Sequence, residues 1–265
     1  MYKNILLNLA YDGTNFHGWQ DQAGGARTVA GVLGQALEEV TGRSVRMIAA
    51  GRTDAGVHAE GQLVNFLTTY PVPPDLFYHQ LKPHLPEDLM VISSMEVPRN
   101  FHARFQAKEK TYRYDLIEGP FLLPQLRHHF GLSTFPLDED RIRRSLPLFL
   151  GTHNFSAFSL QDKDRDPLRT LMSIRLDRRG NHWIFHFTGD SFLRRQVRIL
   201  VGALIDLGRG HLDPADLPPL LEQGADHPIA PAYPAAGLTL EKIEISLEKT
   251  FPDPALTQKI KNFHY

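Results

Sequence analysis

Residues 49–66, AAGRTDAGVHAEGQLVNF, restrict the fold of this chain more than any other stretch. An arginine and an aspartate stand two residues apart, at 52 and 54, with glycines at 51 and 56 and small residues around them. Strand-like runs flank this bend, SVRMIAA (44–50) before it and GQLVNFLTT (61–69) after it. The second run alternates Leu63, Asn65 and Leu67 against Val64 and Phe66, the two-residue period of a strand. A helical pattern precedes both. In TVAGVLGQALEEVTG, Val29, Val32, Leu33, Ala36, Leu37 and Val40 recur at helical spacing, Thr28 can cap the start and Gly42 can end it. The chain must therefore fit a tight bend, carrying one opposite-charge pair, between two strands that follow a helix.

The same reading extends to both sides. KNILLNLAY (3–11) has strand character and DGTNFHG after it is turn chemistry. PVPPDLFYHQLKPHLPEDLMVISSMEV predicts a loop, a short helix, a Pro-rich turn and a strand. A second series follows: a strand at 110–117, a helix at 138–151 with Pro147 inside it, and a hairpin over 168–189 joined through Arg-Gly-Asn. A helix at 192–208 and a closing strand at 238–245 complete it. Strands and helices interleave twice, which predicts an α+β fold of two related α/β lobes with mixed, mainly antiparallel sheet and helices on one side. The expected division is 1–105, 106–250 and a C-terminal extension over 251–265.

Composition narrows the chemistry. The absence of cysteine removes disulfides, thiol nucleophiles and thiolate metal sites, and fits a cytoplasmic protein. The opening MYKNILLNLAYDG turns polar too soon for a signal peptide, and no apolar run is long enough to span a bilayer. The net charge of −1 announces no polyanionic partner. Its distribution says more. Residues 211–248 carry seven acids against one lysine, whereas RNFHARFQAKEKTYR (99–113) holds five basic residues against one acid and FLRRQVR (192–198) three arginines and no acid. Such patches can hold a phosphate backbone, although on charge alone they fit a solvated surface better.

No phosphate-loop, metalloprotease or nucleophile-elbow motif is present. His128 and His129 adjoin in a strand-like stretch and would point to opposite faces, so no metal site is expected. Asp54 and Arg52 remain. A guanidinium beside a carboxylate favours the ionised form and aims it through paired hydrogen bonds, which suits a nucleophile or a general base. Taken alone, the pair fits a structural salt bridge in a turn better.

The wider pattern changes that balance. GRTDAGVHAEGQLVNF resembles the catalytic-loop motif of tRNA pseudouridine synthases of the TruA type. YDGTNFHGWQ (11–20), FHARFQAKEKTYRY (101–114), GTHNFSAF (151–158), FLRRQVRILVGALIDLG (192–208) and APAYPAAGLTLEKIEI (230–245) resemble the family's other motifs, in family order. The resemblance implies the pseudouridine synthase fold with an active-site cleft between the lobes, and conversion of uridine to pseudouridine in the anticodon stem-loop of tRNA, near positions 38–40. It implies Asp54 as the catalytic aspartate, Arg52 and Arg198 as its support, and Tyr112 as a substrate-binding ring. Arg104, Lys110, Arg194 and Arg195 become candidate RNA contacts. A homodimer is implied, and neither a metal nor a small-molecule cofactor. The rival readings are an RNA-binding protein without activity and a hydrolase that would release free uracil. Ala30, Lys82-Pro83, Gln196 and Ile199 depart from the family pattern, and none of them coincides with these four site residues.

Overall fold

The structure, a computed structural model, describes residues 2–22, 24–160, 166–245 and 263, and it divides into two compact units. The first comprises the chain up to Lys108 together with the part from Leu240 onward, and the second is Glu109–Thr239.

In the first unit β1 (Lys3–Tyr11) pairs antiparallel with β3 (His58–Thr68) on one side and β4 (Leu89–Val97) on the other. The short β2 (Met47–Ala49) and the closing strand β10 (Leu238–Ile245) both pair with β3. Ile5, Leu7, Val64 and Phe66 are buried on one face of this sheet. Phe77 of α2 (Phe77–Leu81) meets Phe66 edge to face at 5.6 Å, and α1 (Val29–Thr41) packs against α2. Helix α1 starts and stops where its capping residues require. The Thr28 hydroxyl accepts the Gly31 N–H at 3.2 Å, and Gly42 takes the left-handed conformation, φ 74°. On the opposite face lies the one-turn α3 (Ala103–Gln106), whose Ala103 N–H donates to the Asn65 side-chain carbonyl.

In the second unit β5 (Ala107–Glu118) pairs antiparallel with β9 (His182–Gly189), β9 with β8 (Leu168–Arg179), and β8 with β7 (Gly151–Asn154). A parallel partner, β6 (Gly131–Ser133), makes the sheet mixed. Strand β9 alternates by two, with Trp183, Phe185 and Phe187 fully buried and their rings stacked about 6.4 Å apart. Full burial of each such ring is worth about 1.5–3 kcal/mol. The long α5 (Gln196–Gly208) is apolar almost all round and buried, and α4 (Glu139–Ser145) lies against it.

The α+β reading and the mainly antiparallel sheet hold. Three local expectations need correction. The helix expected over 138–151 is α4 followed by a 3-10 turn at 146–149, because Pro147 has no N–H to continue the ladder. His128 and His129 lie in turns after the 3-10 helix Pro124–Leu126, not in a strand, with the His129 N–H donating to Leu126 C=O. The helix expected from 192 begins at 196, because Arg195 takes a left-handed conformation, φ 58°. The division of the chain also differs from the expected one: the closing strand leaves the second unit after Thr239 and joins the first. Within the 251–265 extension only Phe263 is described. It is buried, and its C=O accepts the Ser93 hydroxyl at 3.0 Å.

Candidate functional site

The Arg-Thr-Asp bend is built between β2 and β3 and is anchored from inside. Gln62, fully buried on β3, donates its amide to Gly51 C=O at 3.0 Å, and Ala50 N–H donates to Leu63 C=O at 2.8 Å. Thr53 is the buried member of the bend, and its hydroxyl meets the Tyr11 hydroxyl at 2.8 Å. Asp54 opens a turn in which its C=O accepts the Val57 N–H at 3.2 Å, with Gly56 at φ 78° supplying the positive dihedral. Asp54 is half-buried, while Arg52 and Ala55 are exposed.

The opening motif, residues 11–20, is the cradle of this bend. Trp19 N–H donates to Thr53 C=O at 3.1 Å, and Gly56 N–H donates to Phe16 C=O at 3.2 Å. Two glycines let the backbones touch. A Cβ on Gly13 would stand 2.1 Å from the Val57 carbonyl oxygen, and one on Gly18, where φ is +87°, would stand 2.7 Å from that of Thr53. The cradle is itself braced by Arg27. Its guanidinium forms two hydrogen bonds to Asp88, at 2.8 and 2.7 Å, and lies 4.1 Å over the Phe16 ring. Asp88 holds the Arg27 guanidinium above its ordinary pKa. Sequence reasoning read this motif only as turn chemistry and as part of a resemblance; the paired glycines at 13 and 18 were the available signal of close approach.

Arg52 lies exposed on one side of the buried Thr53, and Asp54 stands half-buried at the turn on the other. The bend is held by the Thr53 hydroxyl, the Gln62 amide and backbone contacts. Burial pushes the Tyr11 phenol up to about 12, so the hydroxyl stays protonated as a partner for Thr53. Tyr11→Phe is expected to leave the buried Thr53 hydroxyl unpaired and to cost about 1–3 kcal/mol in urea unfolding. Adding Thr53→Val should cost less than the sum of the two single changes; a strictly additive cycle would show that the bond is not made.

The second unit carries the other predicted residues except Arg104. Tyr112, on β5 opposite Phe187, is 7% exposed, and its ring meets Phe192 edge to face at 5.2 Å. The ring contact ties the TYRY segment to the FLRRQVR segment. Arg198, half-buried on α5, donates Nε to Tyr233 C=O at 2.6 Å, and Tyr233 N–H returns a bond to Arg198 C=O at 3.0 Å. The AYP stretch is therefore strapped to the arginine-bearing helix. Tyr114, fully buried, donates its hydroxyl to Pro234 C=O at 2.9 Å, and burial raises its pKa far above the ordinary phenol range. The Tyr233 phenol is raised as well, chiefly by burial, and donates to Leu132 C=O at 3.1 Å. Lys110 is half-buried on β5, Arg194 and Arg195 are exposed just before α5, and Arg104 is exposed on α3 of the first unit.

A family model described as tRNA pseudouridine synthase matches residues 9–106 and 146–244. The chain is 39% identical over 242 residues to "tRNA pseudouridine synthase A" of Acetivibrio thermocellus, covering 91% of this chain and 99% of that protein. It is 38% identical over 262 residues to the protein of that name in Chlorobium luteolum, covering 98% of this chain and 100% of that one. A third relative of that name, from Clostridium acetobutylicum, is 37% identical over 242 residues, 91% of this chain and 99% of its own length.

Proposed function

We infer the finer chemistry from one premise: this chain belongs to the tRNA pseudouridine synthase family and is an isomerase acting on tRNA. In its reaction the uridine N1–C1′ bond breaks and a C5–C1′ bond forms. C5 loses a proton and N1 gains one, with no net oxidation or reduction. The target is a uridine in the anticodon stem-loop, at positions 38–40. Asp54 is the catalytic carboxylate, acting by attack at C1′ or C6 or by removal of a sugar proton. Arg52 holds the target nucleotide outside the stack, a role for which its exposure suits it. Tyr112 stacks on the extruded uracil, and Arg198 supports the site from α5. The observation that carries this reading is the contrast within one bend: a carboxylate left half-exposed on a backbone fixed by buried contacts. Catalysis rewards that kind of preorganisation, since small misplacements of a reacting group are costly.

The deciding experiment incubates the protein with unmodified tRNA transcripts, maps pseudouridine by carbodiimide sequencing and assays free uracil. Pseudouridine at 38–40 without uracil is expected; pseudouridine elsewhere, or uracil release, would overturn the reading. The protein works as a cytoplasmic homodimer sharing each tRNA, and light scattering that found an active monomer would end the dimer. Arg194 and Arg195 contact phosphates in the same proposal. Changing both to alanine is expected to reduce the salt dependence of tRNA binding by about one to two in log–log slope. An unreduced slope in anisotropy titrations would place the phosphates elsewhere.

A further inference from the structure

The segment joining β4 to β5 carries a surface that the proposed chemistry leaves unused. Phe105 is 76% exposed, the most exposed large hydrophobic side chain among the described residues. Single exposed aromatics are ordinary on protein surfaces. This one differs in how it is mounted. Its ring stacks on the His102 ring with centroids 4.1 Å apart and planes 24° from parallel, so one ring face is packed. The backbone beneath is closed by Phe105 N–H to His102 C=O at 2.9 Å and by His102 N–H to the Gln106 side chain at 3.1 Å.

Two buried asparagines fix this segment to the sheet. Asn65 on β3 accepts the Ala103 N–H at 2.8 Å and donates to the Asn4 side-chain carbonyl at 2.9 Å. Asn4 on β1 donates to the carbonyls of Pro98 and Phe101 at 3.1 and 3.0 Å. Asparagine is a poor strand residue, and a buried amide is costly unless it is bonded. Two such residues on neighbouring strands are committed to one surface segment. That segment is also basic. Arg99, Arg104 and Lys108 occur from 99 to 108 with no acid among them. Arg104 is exposed and enters no ion pair among the described residues. The Arg99 guanidinium lies 5.9 Å over the Tyr2 ring.

We propose that the His102–Phe105 stack is a platform for an unpaired nucleobase of the tRNA substrate, with Arg99 and Arg104 on the adjoining phosphates. The proposal rests on the tRNA reading above. A rigid ring with one open face suits this task because every base presents a π-face, and the basic neighbours supply the complementary charge.

Phe105→Trp and Phe105→Leu test it. Both native tryptophans are buried, Trp19 at 5% and Trp183 at 0% exposure, so iodide quenching of Phe105→Trp reads the new indole. Saturating unmodified tRNA transcript is expected to protect that indole, and a fully paired RNA duplex to leave it quenched. Phe105→Leu keeps an apolar side chain and removes the π-face. It is expected to weaken binding of the transcript by on the order of tenfold or more, and binding of the duplex not at all. Unprotected fluorescence, equal affinity of Phe105→Leu and parent for the transcript, or equal weakening toward both RNAs would overturn the platform. A fall in molecular mass of Phe105→Leu by light scattering would assign Phe105 to a contact between copies and overturn it too. These readouts are of binding only. A protein that protects the indole yet forms no pseudouridine would sink the proposed catalytic roles and leave the platform standing.

Discussion

Asp54→Asn is expected to fold and bind tRNA like the parent protein and to form no detectable pseudouridine. The amide keeps the size of the carboxylate but loses its charge and most of its nucleophilicity. The Thr53 hydroxyl, the Gln62 amide and the cradle backbone, all unchanged in this variant, hold the bend. Thermal unfolding of the variant should therefore stay close to the parent's while turnover disappears. Asp54→Glu should also be nearly inactive: one added methylene displaces the carboxylate by about 1 Å, which can cost on the order of a hundredfold. A bend with only a structural role predicts another pattern, in which stability and activity fall together in proportion. A folded, tRNA-binding Asp54→Asn protein that still makes pseudouridine would end the assignment of Asp54 as the catalytic carboxylate.

Gly13→Ala is expected to lower activity by about a hundredfold with only moderate loss of stability. The new Cβ would stand 2.1 Å from the Val57 carbonyl oxygen and 2.4 Å from its carbon, both backbone atoms that no side-chain rotation can clear. One strand of the cradle must move. Val57 closes the Asp54 turn through its N–H, so a shift there is passed to Asp54 within three positions. Overpacking of this kind costs about 1–3 kcal/mol, and a displacement near 1 Å at a reacting group costs on the order of 10²-fold in rate. Gly42→Ala is the control. Gly42 has φ +74° but nothing within 4 Å of its Cβ position, so alanine there should cost about 1 kcal/mol and spare turnover. Equal activity losses in the two variants would show that general destabilisation, not displacement of the bend, is responsible.

The comparison of sequence with structure divides along range. Strand β1, helix α1 with both caps, and the β8–β9 hairpin agree with the periodicity and turn residues that predicted them. The reason is that these elements are set by hydrogen bonds and side-chain spacing within a few residues. The start of α5 was missed because a left-handed arginine carries no sequence mark, unlike a left-handed glycine. His128 and His129 were misplaced because a short apolar and polar mixture fits either a strand or a turn.

Family membership and the isomerase activity on tRNA were legible through the resemblance of six motifs in family order, and the candidate residues at 52, 54, 112 and 198 through the same resemblance. The sequence alone determined the first two, and it nominated the residues. Tertiary structure decided which neighbour of the bend turns inward, and it chose Thr53, whose hydroxyl finds Tyr11 across 42 positions. It also decided that the glycines of the opening motif serve the Val57 and Thr53 backbones, and that the closing strand pairs with β3. Spacing cannot show these outcomes. Periodicity reports which face of its own element a residue occupies, whereas a distant partner is chosen by packing and by the need to satisfy buried hydrogen-bonding groups, and those constraints exist only once the chain has closed on itself.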